Sequence, residues 1–460
     1  MNTLQGHKLF FIGIGGIGMS GLARYFRRKG MRVAGYDRTP SELTNQLQGE
    51  GVDVQFNESE ALIPEDLRDA RPEEVIIIRT PAVPETSAIF NYWKKRGARI
   101  LKRAELLGMV TRDQPTIAVA GTHGKTTVST MLAHFLTVGK VKMNAFLGGI
   151  ATNYGTNVLL NEEACLNVVE ADEYDRSFLK LTPQEAIITA MDPDHLDIYG
   201  TREAMDEAYA EFASLVKGTL FVHKAIEGKF TSRRNVVTYS LDGTGLPRVE
   251  NRRIADGQQI FDLITDVAAL RDLELGMPGR HNVENAIVAG AVALKMGVDP
   301  DLLRSAMKSF RGVNRRFEKR IDRKDIVLID DYAHHPRELD AFIGSVRELY
   351  PGRRITGIFQ PHLFSRTRDH AAGFAKSLAA LDELILLDIY PARELPIPGI
   401  TSQWLLQQVP MDAKEMCSRE DLVDELRSRD LQLVVTIGAG DIDRLVPDIE
   451  RMLNERDRSS

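Results

Sequence analysis

The sequence predicts an α/β protein whose strands form parallel sheets in three successive segments. Three observations carry this. Short apolar runs alternate with amphipathic helical stretches along the whole chain, the pattern of parallel sheets covered by helices. Two glycine-rich turns each follow such a run and open a helix. The length, 460 residues, exceeds what one core normally serves and fits about three domains. The 43% hydrophobic and 27% charged content argues against disorder and fibrous repeats. Net charge is −6, from 59 Lys and Arg against 65 Asp and Glu, so the basic excess of a phosphate-backbone binder is missing and nucleic acid is not an expected partner. Cys165 and Cys417 alone exclude a disulfide framework and point to a reducing compartment. No apolar stretch approaches the ~20 residues that span a bilayer, and the N-terminus runs straight into a strand without a secretory pattern. A cytoplasmic protein with no membrane partner is expected.

The first segment opens with Lys8–Ile12 and contains the buried-strand run Val75–Ile78. Its glycine turn, Gly13, Gly15, Gly16 and Gly18, lets the backbone approach a diphosphate at a helix N-terminus, although a ligand-free tight turn has the same appearance. Asp37 stands about 20 residues on, where a ribose-binding acid would lie, and an N-cap reads equally well. The second segment begins with the strand Thr116–Ala120 and enters Gly121, Thr122, His123, Gly124, Lys125, Thr126 and Thr127. A lysine at a helix start suits terminal phosphates, and the Thr126 hydroxyl suits Mg²⁺. The glycine spacing departs from the common P-loop, with two residues rather than four between Gly121 and Gly124.

Two carboxylate clusters follow strand-like runs, Glu170 to Asp175 and Asp192 to Asp197. Carboxyl ends of strands in open sheets collect ligand groups, and hard oxygens with one imidazole suit Mg²⁺. Glu170 and His195 are the expected ligands, the remaining acids being loop and cap residues. Asn282 introduces a later helix, either reading a purine edge or capping. The third segment carries strand runs near 326–329, 354–359, 384–387 and 433–437, with Asp331, Tyr332, His334 and His335 after one and His362 to Arg368 after the next. Zinc is disfavoured there, because adjacent histidines do not easily share a tetrahedral ion and cysteine ligands are missing.

In order along the chain, Ala120–Thr127, Glu170–Glu173, Asp194–Asp197, Gly279–Asn282 and Asp331–Pro336 resemble the motifs of the Mur ligase family, ATP-dependent amide-forming enzymes of cell-wall precursor synthesis. The short P-loop variant of that family accounts for the irregular glycine spacing. The resemblance implies an N-terminal Rossmann-like domain (1–108) for a UDP-sugar, a central P-loop ATPase-like domain (109–314) and a C-terminal Rossmann-like domain (315–460) for the amino acid. Gly13–Gly21, Asp175–Leu179 and Phe359–His362 are similar to the branch that joins L-alanine to the carboxylate of UDP-N-acetylmuramate. The branch attaching a preformed tripeptide is the alternative. Later-acting members use a carbamylated lysine, and here no lysine follows Thr201 until Lys217. Leu363 departs from an arginine found in some relatives, and no role is carried to it.

By the same resemblance, Lys125 and the loop from Gly121 to Thr127 hold ATP. Thr126, Glu170 and His195 hold Mg²⁺, and His281, Asn282 and Asn285 lie near adenine. The first glycine loop, Asp37, Thr80 and Arg103 serve the UDP-sugar, Arg103 being equally readable as a surface residue. Asp331, Tyr332, His335 and Arg366 close over the site, position alanine and stabilise the tetrahedral oxyanion. Arg315 or Arg316 reaches the phosphates after closure, and Arg315 and Asp331 count among the ATP-binding residues. Lys125, His195, His335 and Arg366 are the catalytic set, with His335 as the candidate proton acceptor. A monomer or homodimer is expected. Read alone, the first glycine loop fits a nicotinamide-dependent oxidoreductase, which leaves Lys125 and Glu170 unexplained; a non-catalytic nucleotide-binding module is the third possibility.

Overall fold

The computed structural model describes residues 4, 6–193, 196–255, 257–392 and 394–456, without the side chains of 196, 197 and 456. Among the described residues, four sheets organise the chain. In the first, β1 (Lys8–Ile12), β2 (Val33–Tyr36), β3 (Asp53–Gln55), β4 (Val75–Arg79) and β5 (Arg99–Lys102) pair in parallel in the order β3-β2-β1-β4-β5. The order reverses beside β1, so the crevice that opens at its carboxyl end lies where the first glycine turn stands. β1 and β4 are apolar because helices cover both faces; Phe10 and Trp93, fully buried, meet with ring centroids 5.5 Å apart.

The second sheet contains β6 (Thr116–Ala120), β7 (Met143–Ala151), β8 (Thr156–Leu159), β9 (Leu166–Glu170), β10 (Glu185–Ile188), β11 (Leu220–His223) and β12 (Val236–Tyr239), ordered β12-β11-β10-β6-β9-β7-β8. Only the β7–β8 edge is antiparallel. β6 lies centrally between β9 and β10, and their carboxyl ends deliver the P-loop, Glu170 and the segment after Ile188 to one edge. A smaller sheet, β13 (Arg248–Ala255), β14 (Gln258–Ile264) and β15 (Ala269–Leu275), follows. The last sheet, β16 (Glu318–Asp322), β17 (Val327–Asp331), β18 (Ile355–Phe359), β19 (Glu383–Leu386), β20 (Lys414–Met416) and β21 (Leu433–Ile437), has the order β16-β17-β21-β18-β19-β20. It is parallel except for β16.

The chain packs as two compact units. One comprises residues 1–250, 262–271 and 285–307, and the other 251–261, 272–284 and 308–460. Within the first unit the two large sheets share one hydrophobic core running from Leu4 to Phe230. Tyr25 of the helix Ile17–Arg28 meets Phe146 of β7 with centroids 5.4 Å apart. Arg24, buried on that helix, donates to Thr156 Oγ1 and Asn157 Oδ1 (3.1 Å each) while pairing with Glu50. Among the described residues no helix is long and apolar enough to cross a membrane.

Phe178 lies fully buried, stacked on Phe212 (4.9 Å) and edge-on to Tyr209 (5.1 Å). Phe178→Ala should cost about 3–5 kcal/mol through lost burial and an unfilled cavity. The check is a lowered thermal unfolding midpoint of the full-length protein.

Candidate functional site

The P-loop turn is shaped by two glycines. Gly121 has φ +126° and runs so close to the chain after β10 that a Cβ would fall 2.1 Å from Thr189 Oγ1. Gly124 caps the helix Lys125–Val138 in a left-handed conformation, φ +79°. This arrangement turns the first amides of the helix outward, where the positive end of its dipole favours an anion. Thr122 and His123 are tied to the β10 loop. The Thr122 hydroxyl accepts from Asp192 N (3.0 Å), and His123 Nε2 lies 3.3 Å from Asp192 Oδ2. Asn285 reaches the same loop, its Oδ1 standing 3.1 Å from where a Cβ on Gly124 would be.

Lys125 is folded back. Its Nζ donates to Gly121 O (2.7 Å) and to Glu173 Oε1 (2.8 Å), Glu173 itself being fully buried. Burial alone pulls the ammonium down, and the carboxylates of Glu173, Asp172 and Glu170 more than offset it, so its pKa is raised and it stays charged. Glu173 was not singled out from the sequence; its position in an acidic run gave no sign that it, of these acids, pairs with the lysine. Beside it, Glu170 Oε1 accepts from Thr126 Oγ1 (3.0 Å) and Oε2 from Gly148 N (2.9 Å). Thr126 and Glu170 thus put two hard oxygen donors together at a helix N-terminus. His195, the other expected metal ligand, lies outside the described residues.

In the first sheet, Gly13 has φ +86° and packs against Thr80, whose Cγ2 would stand 2.6 Å from a Cβ there. Asp37 closes the turn, because its Oδ2 accepts from Gly15 N at 2.8 Å. Arg103 lies over Gly18, with Nη1 2.8 Å from a Cβ position there, and reaches Asp172 Oδ2 at 3.4 Å. The structure therefore brings Thr80, Asp37 and Arg103 to the glycine turn, and Arg103 links that turn to the acidic run next to Lys125.

Residues of the second unit form a separate constellation. Asn282 is fully buried, with Nδ2 donating to Pro278 O (2.6 Å). His281 Nδ1 meets Ser345 Oγ (3.1 Å), and burial lowers its pKa to about 4. At the carboxyl end of β17, Asp331 accepts from Phe317 N (2.7 Å) and Ala333 N (2.8 Å), so its carboxyl shapes the loop. Arg315 donates to Gly438 O (2.6 Å) and Gly440 O (3.3 Å) and lies over Tyr332, 5.0 Å from the ring centroid. His335 is the N-cap of the helix Pro336–Leu349. Arg366 Nη1 contacts His362 Nδ1 (3.3 Å). Leu363 is buried with φ +69°.

Family models match nearly all of this chain: Mur ligase family, catalytic domain over 8–115, Mur ligase middle domain over 119–293, and Mur ligase, glutamate ligase domain over 315–440. The chain belongs to the Mur ligase family, a class of ATP-dependent ligases, and has its three-domain α/β architecture. Among its relatives, the UDP-N-acetylmuramate–L-alanine ligase of Flavobacterium johnsoniae is 48% identical over 99% of this chain and 100% of its own length. That of Parabacteroides distasonis is 47% identical over 97% of each. The crystal structure of the UDP-N-acetylmuramate–alanine ligase of Thermotoga maritima superposes with a TM-score of 0.80, at 26% identity over 98% of this chain and all of its own.

Asp330 and Asp331 are pushed up to about 6 and about 7, first by burial and against the pull of Arg315 and Arg316 respectively. Both values lie above the ordinary 3.8, so between them the native state holds protons that the unfolded chain has released. Stability from this source is full below about pH 4 and is lost as pH rises through 6 to 7. The unfolding midpoint should therefore fall between pH 5 and 8, with a shallower fall in Asp331→Asn, as followed by thermal denaturation in matched buffers.

Proposed function

We propose that this chain joins L-alanine to the carboxylate of UDP-N-acetylmuramate, converting ATP to ADP and phosphate, as a cytoplasmic step in peptidoglycan precursor synthesis. The observation that carries the reading is the full-length match to ligases of that name, whose P-loop counterpart here presents Lys125 among three carboxylates at a helix start. A carboxylate is a poor electrophile. Phosphorylation makes it an acyl phosphate, and the amine then attacks the carbonyl to give amide and phosphate.

Domain limits of 1–108, 109–314 and 315–460 are the reading that accompanies this function. Lys125 and the amides of Gly124 to Thr127 cradle the terminal phosphates, since phosphoryl transfer depends mainly on positioning and charge neutralisation. Release of Lys125 from Glu173 supplies the charge. Asn285, beside Gly124, faces the nucleotide, with His281 and Asn282 assigned to adenine. Thr126 and Glu170 fit Mg²⁺, which takes hard oxygens and keeps several waters; His195 is assigned to the metal by resemblance. When bound, the metal neutralises phosphate charge. Gly13, Gly15, Gly16 and Gly18 hold the UDP diphosphate, with Thr80 and Arg103 beside it and Asp37 stiffening the turn. Arg315 is assigned to the ATP phosphates, Asp331, Tyr332, His335 and Arg366 shape the amino-acid side, and Arg366 offers its guanidinium to the developing oxyanion.

Phosphate release with Mg-ATP and UDP-N-acetylmuramate should require L-alanine, and the product should be heavier by one alanine residue. Tripeptide addition in its place would refute the amine assignment. Lys125→Ala should lower turnover by roughly 10²–10³-fold while UDP-sugar affinity, followed by calorimetry, stays near wild type. Gly148→Ala places a Cβ 2.3 Å from Glu170 Oε2 and should raise the Mg²⁺ concentration for half-maximal rate by about 10-fold, as read from a metal titration.

A further inference from the structure

The ligase reading leaves one chemical need without an owner. L-alanine arrives as an ammonium; it must lose one proton to free the attacking lone pair and a second before the amide is complete. Three histidines cluster beyond β17 and β18, and their hydrogen bonds assign the tautomer of each.

His335 Nδ1 accepts the backbone N–H of Arg337 (3.3 Å), so in the neutral ring its lone pair is spent on the helix cap and Nε2 carries the hydrogen. Its ring also packs against His370, centroids 4.7 Å apart. Taking up a proton at Nδ1 would undo that cap. His362 Nδ1 faces Arg366 Nη1 at 3.3 Å. A guanidinium only donates, so that lone pair is engaged as well.

His334 is the reverse case. Its Nδ1 lies 3.0 Å from Tyr332 O and 3.3 Å from Glu338 Oε2. Both are acceptors, so Nδ1 must carry the hydrogen and Nε2 holds the lone pair. Nε2 makes no hydrogen bond among the described residues, and the side chain is 18% exposed. Glu338 is held in place by accepting His334 N (3.0 Å) from the first turn of the helix Pro336–Leu349. A base oriented by a carboxylate on its far nitrogen is the arrangement proton transfer requires.

We propose that His334, oriented by Glu338 and the Tyr332 carbonyl, is the proton acceptor for the incoming amine. The inference rests on the ligase reading. One ammonium proton passes to Nε2, freeing the lone pair that forms the C–N bond. The C–O bond to phosphate then breaks, phosphate leaves with the bonding pair, and the second N–H proton departs on that phosphate. The resulting imidazolium is met by the Glu338 carboxylate. Facing the ring are Glu338, the Arg366 and Arg316 guanidinium groups, and the Tyr332 and His362 rings. Burial, with those guanidinium groups, outweighs Glu338 and lowers the imidazole to about 4, so the ring is neutral and able to accept at neutral pH.

The test compares two nucleophiles on the full-length enzyme with Mg-ATP and UDP-N-acetylmuramate. Hydroxylamine is already unprotonated at neutral pH and needs no base to attack an acyl phosphate, whereas L-alanine does. His334→Ala should lose roughly 10²-fold or more in L-alanine ligation and stay within about 3-fold of wild type in hydroxamate formation. Raising the pH toward 9, where more alanine is free amine, should narrow the deficit. Unchanged ligation would overturn the proposal, as would equal loss with both nucleophiles at a wild-type unfolding midpoint. Should His334→Ala lower that midpoint, Glu338→Gln carries the test. It keeps the imidazole and should lose about 10-fold with L-alanine only; loss with neither nucleophile, or equally with both, would overturn the proposal. A wild-type enzyme silent with L-alanine but active with hydroxylamine would overturn the ligase reading, and the base assignment with it.

Discussion

A cation held at the wrong end of a helix is the constraint around which the central part of this protein is arranged. The first turn of Lys125–Val138 already carries the positive end of a dipole, and Lys125 adds a full charge beside it. Alone, that pair is unfavourable. Three carboxylates resolve it, Glu173 by direct contact and Asp172 and Glu170 through their fields. The buried Glu173 supplies the anion that this ammonium needs. Breaking a buried ion pair without replacement is costly, so an anion that displaced Glu173 would have to take over the charge of the lysine.

The acidic run that answers this charge also serves the neighbouring turn. Asp172 contributes to the field at Lys125 and receives Arg103, which lies over Gly18. The parallel topology makes this economical. Strands β1, β6 and β9 end at loops that bear glycine, lysine or carboxylate, and no long-range threading is needed to bring the groups to sheet edges.

Local features were the ones legible in the sequence. The strands Lys8–Ile12, Thr116–Ala120 and Leu433–Ile437 announce themselves as mostly apolar runs without alternation, because both their faces are covered. The glycine turns are legible because φ near +80° to +126° at Gly13, Gly121 and Gly124 is open to glycine and strained for other residues. Groups whose role depends on which atom meets which were not legible. Nothing in a pair of adjacent histidines tells that His335 caps a helix while His334 turns its Nδ1 to Tyr332 O and Glu338. Glu173 looks like its acidic neighbours until burial separates them. The sheet β13-β14-β15 is not legible either, since β13 and β15 are partly exposed and carry charges along their length.

The seam between the first two sheets bears on how the chain folds. Tyr25 against Phe146, and Arg24 against Thr156 and Asn157, are contacts between residues more than a hundred positions apart. A polypeptide ending near residue 108 would leave Tyr25 without its aromatic neighbour and a guanidinium without half its acceptors. The N-terminal sheet is thus a lobe of a larger cooperative unit. During synthesis it reaches its full stability only after the β7–β8 hairpin has emerged from the ribosome.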